Sequence, residues 1–243
     1  MSPPRIVLLT PTWRGDFDHF RLLRRSLVRF GLGDAEHHVV VQTEDRDLFA
    51  PLASGGMRLH TTAGILPPEV EAGRVECLRR SAQDNRHIAR LRRSLNKRFG
   101  WYNWIRHYGW QIQQITKLQA PVVLDADIFV VLDSDLILCK PLRLEEFAPN
   151  GKALLMECPK KLRRHGPGLE HRWAETAHRL LGTPFDDTRE INTRVGTPFV
   201  FDRQVIRALH QRLEQRHALP WHQVLLGQKP ASWSEFALYN CLA

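Results

Sequence analysis

The chain has few cysteines and no long apolar run, and each shortage excludes a class of protein. Its 243 residues include only four cysteines, which are far apart and form no CxxC pair. A zinc site or a disulfide framework therefore has no support. No apolar stretch approaches the roughly 20 residues that span a bilayer, and the run from Ile6 to Leu9 is too short for the core of a secretory signal. The sequence predicts a cytoplasmic protein with a globular core.

Basic residues are in surplus and give the chain a formal net charge of +9. Such a surplus favours anionic partners, which include nucleotides, phospholipid surfaces and nucleic acid. Residues 74–106 are strongly basic and end in aromatic residues such as Trp101 and Trp104. Most such runs are solvated helix faces, and this stretch is also a candidate for peripheral contact with phospholipid at the inner face of the membrane, with a lipid-diphosphate acceptor or with nucleic acid. No nucleic-acid-binding signature accompanies the charge, so no specific nucleic acid is expected as a partner.

Short apolar runs, separated by glycine and proline, indicate strands that alternate with helices. A helical pattern over residues 17–30 lies between two apolar runs, residues 5–12 and 38–42. Continuous apolar strands indicate a parallel sheet covered on both faces. Further strands are predicted over residues 57–60, 128–132, 154–157 and 197–202, and further helices over residues 109–118, 160–181, 204–216 and 234–242. The predicted fold class is α/β, a single Rossmann-like domain with a mostly parallel central sheet flanked by helices.

The sequence Asp133-Ser134-Asp135 follows the most apolar predicted strand. Alternate residues of an extended chain project to one side, so both carboxylates would point to one spot at the strand's carboxyl end. Parallel sheets bind their ligands at that end. Two such charges repel by about 1 kcal/mol in water and by roughly 4 kcal/mol at an intermediate dielectric, and a bound Mg²⁺ or Mn²⁺ reverses that sign. The motif predicts a metal and diphosphate site, with a simple turn cap as the alternative. The upstream pair, Asp125 and Asp127, is assigned to a solvated turn.

Three motifs carry a resemblance to a known family. They are residues 129–135 with the following Lys140-Pro141-Leu142, the helical segment 109–118, and the segment 234–239 (Ser-Glu-Phe-Ala-Leu-Tyr). Together they resemble GT-A glycosyltransferases, and in particular a largely uncharacterised bacterial family of DXD-containing proteins related to them. The resemblance implies one GT-A-like domain over residues 1–243, with a nucleotide-binding half to residue 142 and an acceptor-side half from residue 143. It also implies metal-dependent transfer of a sugar from a nucleotide-sugar donor, guessed to be a UDP-sugar, to a glycan or lipid-linked acceptor.

The resemblance assigns roles to particular residues. Asp133 and Asp135 would hold Mn²⁺ or Mg²⁺, and His222 is the candidate third ligand, although its spacing departs from the family's C-terminal histidine. Glu235 is the candidate general base or acceptor-binding residue, although the helix dipole favours a carboxylate in a first turn whatever its role. The predicted substrate-binding residues are polar or aromatic side chains, or glycine, in the motifs and loops: Thr10, Arg14, Asp16, Asp45, Trp110, Gln113, Gln114, Lys117, Ser134, Gly196 and Ser234.

Helical spacing supports part of this set. Gln113, Gln114 and Lys117 are three, four and seven residues after Trp110 and would share one helix face with it. Lys117 would then contact a donor phosphate while the glutamines bind sugar hydroxyls; a solvated polar face is the alternative. Ser234 is a candidate helix cap. Asp45 would contact a uracil edge or a ribose.

Two other functions remain open. A phosphatase of the haloacid dehalogenase type also has an apolar strand that enters an Asp-x-Asp, and its first Asp is a covalent nucleophile beside Mg²⁺. Asp186 and Asp187 would then be the later acidic pair, but that motif normally opens its domain, whereas here about half of the chain precedes it. A basic nucleic-acid-binding protein is a distant alternative, and steep salt dependence of binding to random DNA would support it.

Overall fold

The computed structural model describes residues 3–83, 109–162 and 168–243. Its main sheet has five strands in the spatial order β3-β2-β1-β4-β7. The strands of this sheet are β1 (Ile6–Thr12), β2 (His37–Val41), β3 (Met57–Thr61), β4 (Ile128–Val131) and β7 (Phe199–Asp202). The first four are mutually parallel, and β7 runs antiparallel to β4 at the edge. The predicted α/β class with a mostly parallel central sheet is therefore confirmed.

Nine α-helices are assigned among the described residues. They are α1 (Phe17–Arg29), α2 (Arg46–Phe49), α3 (Thr62–Ile65), α4 (Pro68–Gln83), α5 (Trp110–Val123), α6 (Leu169–Leu181), α7 (Arg203–His217), α8 (Trp221–Leu226) and α9 (Glu235–Leu242). In this part of the chain, no helix is both long and apolar enough to cross a membrane.

Helices cover both faces of the sheet, as the continuous apolar strands predict. Alternate strand residues point to opposite faces, so Leu8 and Val130 pack with α1 while Leu9 and Val131 pack with α5 to α9. On the α1 side, the buried helix residues are Phe20, Leu23 and Leu27. Burial of a large apolar side chain contributes roughly 1.5–3 kcal/mol, and these two layers fix the position of the strand ends that form the site.

Two predictions about the acceptor-side half are wrong. Residues 154–157 do not form a strand; the small second sheet instead pairs β5 (Pro159–Lys161) with β6 (Glu190–Asn192). The basic segment after β5 is helical only from Leu169 to Leu181 among its described residues. Leu154 packs against the core on the sheet's α1 side without joining a ladder, whereas Leu155 is 39% exposed.

Candidate functional site

The two acids of Asp133-Ser134-Asp135 lie just past β4, at the carboxyl edge of the parallel strands. They are not on an extended chain as predicted, because Ser134 and Asp135 form a turn in which the Leu136 amide donates to Asp133 O at 3.2 Å. Backbone hydrogen bonds fix this exit: the Leu132 amide donates to Leu9 O at 2.9 Å, and the Asp133 amide donates to Thr197 Oγ1 at 3.1 Å. Both aspartates line one cavity of about 440 Å³. This cavity is called the acidic lobe below, because four of its side chains are carboxylates: Asp16, Asp133, Asp135 and Glu235.

Lys117 is the cationic residue among the described residues that line the acidic lobe. Its Nζ is 2.8 Å from Asp133 Oδ1 and 3.1 Å from Glu235 Oε1, and the Lys117 side chain is only 4% exposed. Burial acts to lower the pKa of Lys117, but the charges of Glu235 and Asp133 outweigh it and hold the pKa above its ordinary value. One ammonium therefore joins α5, the end of β4 and the start of α9.

The α5 helix presents a narrower face to the cavity than its spacing predicts. Trp110, Gln113 and Lys117 line the acidic lobe, but Gln114 does not. Gln114 is fully buried, and its Oε1 accepts a hydrogen bond from the Glu235 amide at 3.1 Å. Gln114 therefore holds the first turn of α9 in place and is not placed to bind a sugar hydroxyl.

The start of α9 is capped as predicted. The Ser234 hydroxyl accepts a hydrogen bond from the Phe236 amide at 3.3 Å and lies 3.3 Å from Glu235 Oε2. Glu235 is only 2% exposed, yet it lines the acidic lobe together with Ser234. Its carboxylate is thus anchored on both oxygens, by Lys117 on one and by Ser234 on the other.

Two loops complete the wall of the acidic lobe. Asp16, which lies between β1 and α1, accepts a hydrogen bond from Ser134 Oγ at 3.2 Å. Gly196 lies in the loop before β7, where its φ of +89° is a backbone conformation that favours glycine. The structure therefore brings the predicted Asp16, Ser134 and Gly196 to the same cavity as the aspartate pair.

A second cavity of about 320 Å³ lies beside the first and shares Asp16, Trp110 and Gln113 with it. We call it the aromatic lobe, because Trp13 and Trp110 form part of its wall. Trp13 packs directly over Gly15, where any side chain would overlap the indole ring. Thr12 is buried in the same wall, and its Oγ1 has no hydrogen-bond partner among the described residues. That oxygen is itself buried, so the group that this wall presents to the lobe is the Trp13 ring.

Three predicted loop residues are not part of either lobe. Thr10 is fully buried in β1, where its hydroxyl lies 2.9 Å from His37 Nε2. Asp45 is also fully buried and is bonded to the Arg14 amide at 2.8 Å and to the Arg14 guanidinium. This ion pair joins the loops after β1 and β2, so the two side chains stabilise the loops that carry Trp13 and Asp16. Asp45 has no free oxygen with which to contact a uracil edge.

His222 is also placed away from the aspartate pair. Its Nε2 lies 2.7 Å from Glu69 Oε1, and its ring packs edge-on against Trp221. Since His222 does not line the acidic lobe, it is not brought to the site as a third ligand. The later acidic pair of the phosphatase reading is separate too, because Asp187 contacts His171 at 3.4 Å and Asp186 binds Thr188.

The donor atoms of the acidic lobe fit a hard cation better than zinc. Among the described residues, no group of three or more His, Cys, Asp or Glu side chains is arranged to enclose a metal. Asp133 and Asp135 nevertheless present carboxylate oxygens to one cavity. Mg²⁺ and Mn²⁺ commonly use one or two carboxylates and take their other ligands from water and substrate phosphates. The two aspartates are therefore compatible with such an ion in the presence of a phosphate ligand.

Sequence comparison assigns the chain to a family. Residues 7–243 match a family of unknown function, DUF6492. The chain belongs to this family. The DUF6492 match extends from β1 to α9 and therefore includes every residue of both lobes. Among proteins with curated descriptions, none matches the sequence.

Several residues of the site are absent from the sequence-based prediction. The acidic lobe is also lined by His19, Trp173, Val195 and Phe236. In addition, Thr197 Oγ1 accepts a hydrogen bond from the Asp133 amide. The Phe236 ring lies below the Lys117 ammonium, with 4.9 Å between the ring centroid and Nζ. Phe236 directly follows Glu235 in the sequence, and this neighbour was the local signal that could have identified it. Trp173 and Thr197 come from distant segments and carry no local signal.

The predicted basic stretch is described only in its first part. Residues 84–106, which include Trp101 and Trp104, lie outside the described residues. In α4, Arg74 is buried and paired with Glu44 and Glu71, and Arg79 is paired with Glu76 at 2.7 Å. The membrane contact assigned to residues 74–106 stays a prediction.

Proposed function

We propose that the chain is a metal-dependent glycosyltransferase of GT-A type that transfers a sugar from a nucleotide-diphosphate donor, a UDP-sugar, to an acceptor hydroxyl. The observation that carries this proposal is the placement of Asp133 and Asp135 in one cavity at the carboxyl edge of the sheet. Parallel sheets bind nucleotides at this edge. The parallel strands β1 to β4, with the reversed edge strand β7, are compatible with a GT-A domain.

The charge of the acidic lobe supports a requirement for a cation. Four carboxylates and one ammonium give its described lining a formal charge of −3 with His19 neutral. A diphosphate at this position would be repelled unless positive charge accompanied it. Asp133 and Asp135 would hold Mn²⁺ or Mg²⁺, and the ion would supply charge that stabilises the departing diphosphate.

The two adjacent lobes match the two parts of a nucleotide-sugar donor, the nucleoside and the diphosphate with its sugar. The aromatic lobe offers the Trp13 ring for stacking of a nucleobase. Base stacking on an aromatic side chain contributes roughly 1–3 kcal/mol. The acidic lobe would then contain the diphosphate and the sugar, with the Gln113 amide facing both lobes. The shared wall at Asp16 and Trp110 would mark the passage between the nucleoside and the phosphates.

The chemistry assigned to the chain's own residues is proton transfer and positioning. An acceptor oxygen forms a bond to the anomeric carbon while the bond from that carbon to the donor phosphate breaks, and its electron pair leaves with the diphosphate. Glu235 is the proposed acceptor of the hydroxyl proton. Lys117 would hold both Glu235 and Asp133 in place, since its ammonium contacts the two carboxylates at 3.1 and 2.8 Å.

Thermal unfolding with nucleotides tests this function. UDP at 100 times its Kd, with Mn²⁺ present, should stabilise the protein by about 2.7 kcal/mol, which raises Tm by roughly 5–10 °C in a domain of this size. D135N should lose this rise while keeping its ligand-free Tm, because Asp135 is exposed. D125N is the matched control, since Asp125 belongs to the upstream pair and its side chain is 88% exposed.

Turnover of a panel of UDP-sugars completes the test. Release of UDP should require Mn²⁺ or Mg²⁺ and should be lost in D135N but kept in D125N. Equal nucleotide-induced stabilisation of D135N and the unmodified protein would contradict the metal site. Metal-dependent release of phosphate from p-nitrophenyl phosphate, with a phosphorylated Asp133, would support the phosphatase instead.

A further inference from the structure

Two tryptophans form a continuous surface in the acidic lobe. Trp110 begins α5 and Trp173 lies in α6, and their ring centroids are 5.9 Å apart with a tilt of 32°. Both line the acidic lobe together with Asp133 and Asp135. We call them the tryptophan pair. Because the two rings are already in contact, a ligand cannot lie between them and must rest on their outer surface.

The position of each ring is set by its own surroundings. Trp173 is half-buried and its indole Nε1 donates to Ala231 O at 3.1 Å, so its polar edge is already satisfied. Trp110 is 41% exposed, whereas tryptophan side chains are on average mostly buried. An exposed aromatic surface at the edge of a polar cavity is typical of a binding site.

Polar groups around the tryptophan pair are suited to hydroxyls. The Gln113 amide and the His19 ring line the same cavity, and neither side chain has a hydrogen-bond partner among the described residues. Asp16 and Asp135 add carboxylate acceptors. A pyranose matches this set, because its C–H groups pack on the negative face of an indole ring while its equatorial hydroxyls point sideways to donors and acceptors.

We propose that the tryptophan pair is an acceptor subsite that binds an uncharged pyranose of a glycan. This inference rests on the proposed glycosyltransferase function and specifies its acceptor. The terminal sugar packs on Trp110 and Trp173, and this places one of its hydroxyls beside the carboxylates of the acidic lobe.

The charge of the lobe decides between the two predicted acceptor classes. Its described lining has a formal charge of −3, from four carboxylates and one ammonium. Binding of the donor diphosphate with one dication adds no net positive charge to this total. A lipid-linked diphosphate or a uronic acid would bring a further anion into an already negative space. An uncharged sugar avoids that repulsion, so the glycan is favoured over the lipid diphosphate.

Ligand-observed NMR on the full chain tests the subsite directly. The probes are methyl β-D-glucopyranoside and methyl α-D-mannopyranoside, compared with methyl β-D-glucuronide, each with and without UDP and Mn²⁺. We expect saturation transfer to the ring protons of at least one neutral probe. The glucuronide should bind about tenfold more weakly. W110A should weaken the neutral probe about tenfold, a loss consistent with removal of one aromatic contact.

Two further variants separate a binding role from a structural one. W173F keeps an aromatic ring but removes the donor to Ala231, so it should retain most of the sugar signal. W13A is the matched tryptophan control, because Trp13 lines the aromatic lobe and not the acidic lobe. It should weaken UDP but leave the neutral sugar unchanged.

The outcomes distinguish this inference from the proposed function. Binding of UDP with no saturation transfer to either neutral probe, in any condition, would overturn the subsite and leave the transferase proposal intact. Sugar binding that W110A weakens, without any UDP binding, would support the subsite and contradict the nucleotide donor. Unchanged sugar binding in W110A, or equal binding of the glucuronide, would also overturn the inference.

Discussion

Replacement of Lys117 by methionine should destabilise the protein strongly. The ammonium contacts Glu235 at 3.1 Å and Asp133 at 2.8 Å, and Glu235 is only 2% exposed. At an effective dielectric of 20, two unit charges at about 3 Å attract by roughly 5 kcal/mol. Methionine would leave Glu235 as a buried anion without a cation, and loss of one member of a buried pair typically costs about 3–5 kcal/mol. We therefore expect a loss of about 3–5 kcal/mol in the free energy of unfolding.

The partner variants make this expectation specific. E235Q should cost less, about 1–2 kcal/mol, because Lys117 keeps its contact with Asp133 and so is not left unpaired. The double variant K117M/E235Q should be more stable than K117M alone, since it removes the stranded carboxylate. Such a reversal is the signature of coupled neighbours rather than of independent contacts.

Urea unfolding followed by far-ultraviolet circular dichroism measures these differences at pH 7.5 with EDTA present. The control is K160M, which removes a cation that pairs with Glu170 at 2.8 Å on the surface, where the side chain is 35% exposed. Exposed pairs contribute about 0–1 kcal/mol, so K160M should change little. A loss below about 1 kcal/mol in K117M, or additive losses in the double variant, would refute the electrostatic reasoning.

The remaining predictions concern acid stability and the aromatic lobe. Burial, followed by the charge of Arg24, lowers the pKa of His37 to about 3 from an ordinary value of 6.5. The unfolded chain therefore binds a proton that the folded chain does not, so His37 alone should contribute a loss of about 2 kcal/mol in stability between pH 7 and pH 5, and His210, whose pKa burial also lowers to about 3, adds to that loss. Chemical unfolding at the two pH values checks this, and an H37Q variant with an undiminished pH slope would contradict it. G15A should displace Trp13, whose ring packs over Gly15, and should weaken UDP binding roughly tenfold through lost stacking. G64A is its control, because a Cβ at Gly64 meets no atom closer than 3.9 Å; calorimetry that finds equal UDP affinity in both variants would remove Trp13 from the site.

Local patterns predict the sheet and the position of the aspartate pair. Continuous apolar runs identify β1, β2 and β4 to within a residue or two, because strands buried on both faces need such runs. The apolar run also locates Asp133 and Asp135 at the strand end, but the two side chains meet through a turn at Ser134 and Asp135 and not through the period of an extended chain. Ser234 is recognisable as a cap because a hydroxyl before a helix satisfies a free amide locally.

Contacts between distant segments are not encoded in such patterns. Gln113 and Gln114 are adjacent and chemically identical, and only the packing of α9 decides that Gln114 is buried beneath Glu235 while Gln113 faces the cavity. His222 binds Glu69, which lies 153 residues away in sequence. The three-residue strands β5 and β6 carry no hydrophobic alternation, so the mispredicted strand at residues 154–157 had the stronger local signal.

The antiparallel direction of β7 has a consequence for how the pocket's rim is built. A parallel edge strand would carry its preceding loop to the opposite end of the sheet, far from Asp133. Because β7 is reversed, the loop containing Val195, Gly196 and Thr197 arrives beside the exit of β4. Changes of length or sequence in that one loop can therefore reshape the opening for a new ligand while the four parallel strands stay untouched. Redesign of specificity would begin there.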